Sequence, residues 1–276
     1  MKAISAVIID TYPDKLLPRL AVRRTVGLPN VGRLYTLSDQ PFVPGATHYQ
    51  IEPIRSLSEY SRIVLQLLPD IVQEDHFLLI QWDGMPVTPD AWDDAFLDYD
   101  YIGAPWSGLP ENVAVGNGGF SLRSRKLLET VRTMRIDIGG DAQQADDVML
   151  CRQHRAHLEA RGIKFAPVSL AARFSFETGL PPPVSFGFHN TFNFPLYFSE
   201  LELLELATQI IARQTNMQIL LVYLHRLVYF KMHDLLRLSV QTIQSNPSLA
   251  AAVASQMRSF PIHDSVAKAL AGHGAT

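Results

Sequence analysis

Asp83 is the carboxylate whose delivery is easiest to see in this sequence. It follows the apolar run Phe77-Leu78-Leu79-Ile80 by way of Gln81 and Trp82. A run that short reads as a buried strand, and open α/β sheets bind ligands outside their strands' carboxyl ends. A carboxylate there suits a metal ligand or a group beside a phosphate; the competing account is a turn, because Asp-Gly is a strong turn dipeptide. Asp146-Asp147 precede a helical run. Capping and the helix dipole alone favour acids there; the chemical account is a general base with a neighbouring acid that binds an acceptor hydroxyl. Gly116-Asn117-Gly118-Gly119 lets backbone approach a ligand closely, although it lacks the spacing and context of a dinucleotide loop. His189 lies in the glycine-flanked aromatic segment Phe186-Gly187-Phe188-His189-Asn190, where an ordinary hydrogen-bonded histidine competes with a ligand. All three tryptophans, Trp82, Trp92 and Trp106, fall within residues 77–120, and Trp106, following Pro105, is the one expected to face a ligand. The single cysteine, Cys151, falls inside a helical run and is expected to pack; no nucleophile elbow or zinc-type cluster is present.

The elements that must position these groups alternate. Residues 3–9 read as a buried strand ending in Asp10-Thr11, and residues 16–26 as a helix closed by Pro29 and Gly32. Residues 33–38 form a second strand, residues 58–72 a second helix, and residues 77–80 a third strand. Strand, helix, strand, helix, strand predicts a parallel sheet with crossover helices. Beyond it come a short amphipathic helix over 90–97, a strand over 100–104, a helix over 125–135, and an acidic loop over 137–147. A helix over 148–161, closed by Gly162, and a short strand over 164–168 follow; residues 174–194 show no period. Past Tyr197 the proline-broken style gives way to helical periods at 201–211, 217–238 and 248–257. The expected organisation is therefore an α/β domain over residues 1–197 and a helical appendage over residues 198–276.

With 47% apolar and 18% charged residues the composition is that of a soluble globular protein. The formal net charge of −3 leaves no concentrated basic face, so no nucleic-acid partner is expected. A lone cysteine excludes an internal disulfide and fits a reducing compartment. No secretory signal and no bilayer-spanning stretch is read. The expected address is the cytoplasm. The apolar segment 219–230, interrupted by His225 and Arg226, predicts a helix that packs on the protein or a second copy, or one lying peripherally at the inner membrane face.

The order of these features resembles a bacterial family related to nucleotide-sugar glycosyltransferases of the GT-A fold. The residues carrying the likeness are Gln81 to Gly84 (QWDG), Tyr99 to Trp106 (DYDYIGAPW without its first Asp), Gly116 to Ser124 (GNGGFSLRS) and Phe186 to His189 (FGFH). The resemblance implies a GT-A-like, Rossmann-like mixed sheet, mainly parallel and flanked by helices. It implies an inverting transferase that moves a sugar from a nucleotide-sugar donor to a glycan or lipid-linked acceptor in surface polysaccharide or lipopolysaccharide assembly. Asp147 then matches the catalytic base and Asp146 its neighbour, while Asp83 and His189 match the ligands of a divalent cation, Mn²⁺ or Mg²⁺. Gln81 replaces the first acid of the usual Asp-x-Asp motif. Asp10, Thr11 and Arg62 match nucleotide contacts, and Gln81, Trp82, Trp106, Asn117, Gly118 and Gly119 line the donor. The alternative reading is a non-catalytic nucleotide-sugar or glycan-binding module, favoured by Gln81; a metal-dependent phosphoesterase would want more clustered His and Asp ligands.

Overall fold

In chain order the strands are β1 (Ile4–Ile9), β2 (Val31–Ser38), β3 (Thr47–Gln50), β4 (His76–Ile80), β5 (Gly84–Pro86), β6 (Tyr101–Gly103), β7 (Phe120–Ser124), β8 (Ser175–Phe176) and β9 (Gly187–His189). The computed structural model describes residues 2–138, 144–178, 182, 184–259 and 264–270. Six strands make one sheet in the order β3-β2-β1-β4-β7-β6, and β5-β9-β8 make a smaller one. In the large sheet only β7 runs against its neighbours. Every residue of β1 is buried, as an unbroken Ile/Ala/Val run requires of a strand covered on both faces. The protein is thus a mixed α/β fold with a mainly parallel central sheet flanked by helices and a helical C-terminal region.

Contacts divide the chain into two compact units, residues 1–189 and 190–276. The division falls at His189, before the position after Tyr197 that composition suggests.

Within the first unit, α1 (Leu16–Val26) follows β1, and Ser56 caps α2 (Leu57–Arg62) by accepting from the Glu59 amide. The single helix predicted over 58–72 is broken. A π-helical turn, Ile63–Leu67, separates α2 from α3 (Leu68–Ile71), where Pro69 offers no amide to a regular ladder. The predicted helix over 90–97 is instead two 3₁₀ turns, Pro89–Ala91 and Asp94–Asp98. After α4 (Glu111–Ala114) and α5 (Arg125–Met134) comes α6 (Asp146–Val148), which passes into a second π-helical turn, Met149–Gln153. Only α7 (Arg155–Glu159) continues the helix expected to reach residue 161. Residues 139–143 of the acidic loop lie outside the described residues. The strand predicted over 164–168 reduces to one bridge between Tyr101 and Phe165, and α8 (Val168–Phe174) follows. A core of Val7, Leu79, Tyr101, Leu128 and Cys151, among others, fills the space between the sheet and the helices packed on it.

The second unit is helical: α9 (Phe194–Tyr197), α10 (Glu200–Leu204), α11 (Ala207–Arg213), α12 (Met217–Tyr229), α13 (His233–Gln244), α14 (Pro247–Met257) and α15 (Asp264–Leu270). The helix predicted over 217–238 is two. Lys231 takes a left-handed φ of 57°, and the Met232 amide bonds back to the Leu227 carbonyl, which closes α12. One apolar face of α12, with Leu220, Leu221, Leu224 and Leu227, is buried, while Tyr229 and Phe230 at its end are exposed. Among the described residues no helix is long and apolar enough to cross a membrane.

Candidate functional site

Sheet register brings distant residues to one edge. Val7 pairs with Leu79 and Ile8 with Ile80, so β1 and β4 end level and deliver Asp10 and the segment Gln81–Trp82–Asp83 past the same edge. Because β7 is antiparallel to β4, with Ile80 opposite Phe120, the loop before β7 lies beside the segment after β4. That loop is Gly116-Asn117-Gly118-Gly119. Gly103 pairs with Ser121, which brings the chain leaving β6 alongside it too. In the small sheet Gly84 pairs with His189, placing the histidine next to Asp83.

The loop meets three parts of the site, Trp106, Asp147 and His189. The Trp106 indole packs where a Cβ on Gly116 would stand, and the His189 imidazole packs equally tightly on Gly119. The Gly118 amide donates to Asp147 Oδ2 at 2.7 Å. Asn117, buried and left-handed at φ 60°, puts its amide 3.1 Å from His189 Nδ1. The glycines are there because neighbours approach to backbone distance.

His189 lies between two acids. Its Nε2 is 3.7 Å from Asp83 Oδ1, and its Nδ1 is 3.0 Å from Glu177 Oε1. Burial opposes the imidazolium, but Asp83 and Glu177 outweigh it and raise the pKa to about 9. Both acids therefore favour a proton on the ring, with Nδ1–H donating to Glu177 Oε1. The Asn117 amide then turns its oxygen to the ring, since oxygen and nitrogen of an amide are assigned by their partners.

The two adjacent acids of α6 differ. Asp146 is 3% exposed and accepts from Arg123 Nη1 at 2.6 Å. Arg123 is wholly buried on β7, donates from Nε to Ser121 Oγ at 2.9 Å, and stacks 5.1 Å from the Tyr101 ring centre. Its Nη2 lies beneath Gly118 without a hydrogen-bond partner. Asp147 accepts from the Gly118 and Val148 amides, both at 2.7 Å. Burial, and then the charge of Asp146, push its carboxyl above the usual range. One acid is locked in an ion pair; the other is half-buried with the more basic carboxylate.

The remaining positions named from sequence are spread around this centre. Gln81 and Gly84 close the turn after β4 by two backbone bonds of 3.1 Å, leaving Gln81 and Trp82 half-buried. Asp10 holds Lys15 Nζ at 3.3 Å, with Asp39 3.1 Å away on the same ammonium. Thr11 Oγ1 accepts from the Ile54 amide at 2.9 Å. Arg62 is exposed and lines a groove of about 610 Å³ with Arg55. It is Tyr60 and Ser61 of α2 that turn inward. Ser61 donates to the Gln144 carbonyl at 2.7 Å, and burial, followed by the charge of Asp146, raises the Tyr60 pKa.

Among the described residues no group of three or more His, Cys, Asp or Glu side chains is arranged to hold a metal ion. Asp83 and His189, at 3.7 Å, are spaced as two ligands of one cation are, and Glu177 on Nδ1 repeats the carboxylate–histidine pattern that orients metal-bound imidazoles. Two protein ligands suffice for an ion such as Mg²⁺ that takes its other positions from phosphates and water. The residues fit such a group once a cation takes the place of the proton on His189 Nε2, since a metal-bound imidazole is neutral.

Sequence reading missed Glu177, Arg123, Lys15 and Asp39. Arg123 carries a signal: it alternates with Phe120 and Leu122 in a short strand, where a charge needs a buried partner. Glu177 carries none, because its segment has no period.

Residues 47–189, just over half the chain, match a family described as Protein of unknown function (DUF5672). The chain belongs to that family. The matched span holds Asp83, the glycine loop, both acids of α6 and His189, but not Asp10. No curated protein matches the chain. Among solved structures, the apo form of the glycosyltransferase GlyE of Streptococcus pneumoniae TIGR4 is 15% identical, with 72% of this chain and 55% of that chain covered and a TM-score of 0.39. The chain thus spans about half the length of that protein. A glycosyltransferase involved in glycosylation of the major capsid of PBCV-1 is 12% identical over 68% of this chain and 92% of that one, with a TM-score of 0.45. The inositol-1-phosphate CTP transferase of T. maritima is 11% identical over 59% and 84%, with a TM-score of 0.37. Likenesses at such TM-scores decide nothing about chemistry.

Proposed function

We propose that this protein is a glycosyltransferase that moves a sugar from a nucleotide-sugar donor to a hydroxyl of a glycan or lipid-linked acceptor, with inversion. The observation that carries the reading is the pairing on one glycine loop of a basic carboxylate, Asp147, with a cation-ready pair, Asp83 and His189. Asp147 takes the proton of the acceptor hydroxyl. The acceptor oxygen bonds to the anomeric carbon on the face opposite the leaving group, whose bond breaks with its electron pair going to the diphosphate. A carboxylate whose pKa is raised toward working pH suits that role. Asp83 and His189 would hold Mn²⁺ or Mg²⁺, which supplies Lewis-acid stabilisation of diphosphate charge. The glycine loop brings backbone against the sugar, and Asn117 is held in place by His189.

The test is a thermal-shift screen of nucleoside diphosphates and nucleotide sugars, with and without Mn²⁺. A ligand at about a hundred times its Kd stabilises by about 2.7 kcal/mol. We expect at least one nucleotide sugar to raise the melting temperature, more so with Mn²⁺. If none shifts it under either condition, the transferase reading fails. A shift indifferent to Mn²⁺ would instead assign the leaving group's charge to the His189 imidazolium, which the raised pKa favours.

A further inference from the structure

Beside this centre a cleft of about 480 Å³ opens between the chain after β6 and the chain after α8. Its two sides are joined by a hydrogen bond between the Ser107 and Thr178 hydroxyls at 3.1 Å. Two of its walls belong to the site as well. Trp106 lines the cleft while its ring packs on Gly116, and Glu177 lines it while its Oε1 contacts His189 Nδ1 at 3.0 Å. A molecule in the cleft therefore lies within one residue of both the glycine loop and the histidine.

The lining narrows the chemistry. Its charged residues are Glu111 and Glu177, and no Lys, Arg or His is among the described residues that line it. A diphosphate or any other anion would meet the Glu111 carboxylate and a Glu177 whose counter-charge, His189, lies on its far side, so the lining disfavours the nucleotide end of a donor. What remains complementary is a ring with an apolar face for the indole and hydroxyls that donate to carboxylate and hydroxyl oxygens. Pockets of this kind combine a mostly apolar lining with a few placed polar groups. By contrast, the groove lined by Arg55 and Arg62, together with Glu52 and Glu59, offers an anion two guanidinium partners.

We infer that the cleft binds an uncharged pyranose ring, the acceptor sugar, with Trp106 as its platform and Glu111 and Glu177 as acceptors for its hydroxyls. This inference rests on the transferase reading for the word acceptor, though not for the binding. Glu177 has two roles: it orients His189 and meets the ligand.

Saturation-transfer NMR on the full chain tests it. The probes are methyl β-D-glucopyranoside, methyl β-D-galactopyranoside and N-acetylglucosamine, with glucose 1-phosphate as the anionic control, each at about 20 mM, enough to populate a millimolar complex. We expect transfer to at least one neutral sugar and none to the phosphate. Ala172, half-buried on α8 and lining the cleft, can be enlarged to block it. In A172F and in W106A the neutral-sugar signal should fall to the level of the control. No transfer to any neutral sugar overturns the inference, as does transfer that survives in A172F. A172F also covers the case in which W106A fails to fold. The nucleotide-sugar thermal shift, measured on the same proteins, separates the two claims. Its absence in the unaltered chain sinks the transferase reading whatever the sugars do, and A172F should leave it unchanged.

Discussion

Asp146 and Asp147 are neighbours in sequence and opposites in environment. The first is neutralised by Arg123 at 2.6 Å; the second is held only by amides and carries a raised pKa, from burial first and Asp146 second. Asp147→Asn should therefore cost about 10²–10⁴ in turnover while leaving the nucleotide-sugar thermal shift nearly intact; near-normal turnover would remove Asp147 from the mechanism. The pH dependence has a definite sign. A base must be deprotonated, and the fold disfavours its charged form, so kcat/KM should climb with rising pH along a limb above the ordinary carboxylate range of about 3.9–4.3. A pH–rate profile with its acid limb inside that range would show that Asp147 is not the titrating base. Gly119 makes a third residue-scale case. A methyl there would occupy the place of the His189 ring, so Gly119→Ala should abolish the Mn²⁺-dependent part of the donor's thermal shift. An unchanged Mn²⁺ response would show that His189 is not needed where it stands.

At the scale of elements, the site depends on β7 running backwards. Only that direction brings the loop before β7 against the end of β4, and β7 then joins α6 through Arg123 and Asp146. Removing one member of a buried ion pair leaves an uncompensated charge and costs about 3–5 kcal/mol, whereas replacing both with apolar groups can be neutral. Urea denaturation of Asp146→Ala should show a loss of that order, and an Arg123→Met, Asp146→Leu double variant should recover much of it. Equal losses in both would mean that the pair does not act as a unit. β1, β2 and β4, the helix after β1 and the helical C-terminal region were legible in the sequence, because each rests on an unbroken local period. β3, β5, β8 and β9 were not: two to four residues carry no period, and pairing with distant strands makes them strands. The broken helices were illegible for a related reason. A single π-turn of five residues is too short to carry a period of its own, so the flanking α-helical period reads straight through it. Asp83, the glycine loop and the acids of α6 could be picked out because each marks the end or start of an element. Glu177 and Arg123 gain their meaning only from contacts 12 and 23 residues away along the chain.

At the scale of the whole molecule the chain is two compact units, and the second has the means to fold by itself. Leu220, Leu221, Tyr223, Leu224 and Leu227 of α12 are buried, as are Leu235, Leu236, Val240 and Ile243 of α13. These are the i, i+3, i+4 positions of two amphipathic helices. Three of its helix starts are fixed by its own side chains: Ser199 and Glu202 form a capping box on α10, and Asn216 and Asn246 cap α12 and α14. Two polar contacts in its interior are made within the unit: Arg226 donates to Asn193 at 2.9 Å and Gln214 to Thr191 at 2.7 Å. A fragment of some 87 residues, counting 190 to 276, is above the size at which small domains need disulfides or metals. Expressed alone, residues 190–276 should give a helical circular-dichroism spectrum and a single cooperative thermal transition. Leu224→Ala in that fragment should cost about 2–5 kcal/mol, the usual range for a buried leucine. A fragment that melts without cooperativity, or that is indifferent to Leu224→Ala, would show that this core is not sufficient and that the helical region depends on the α/β unit to fold.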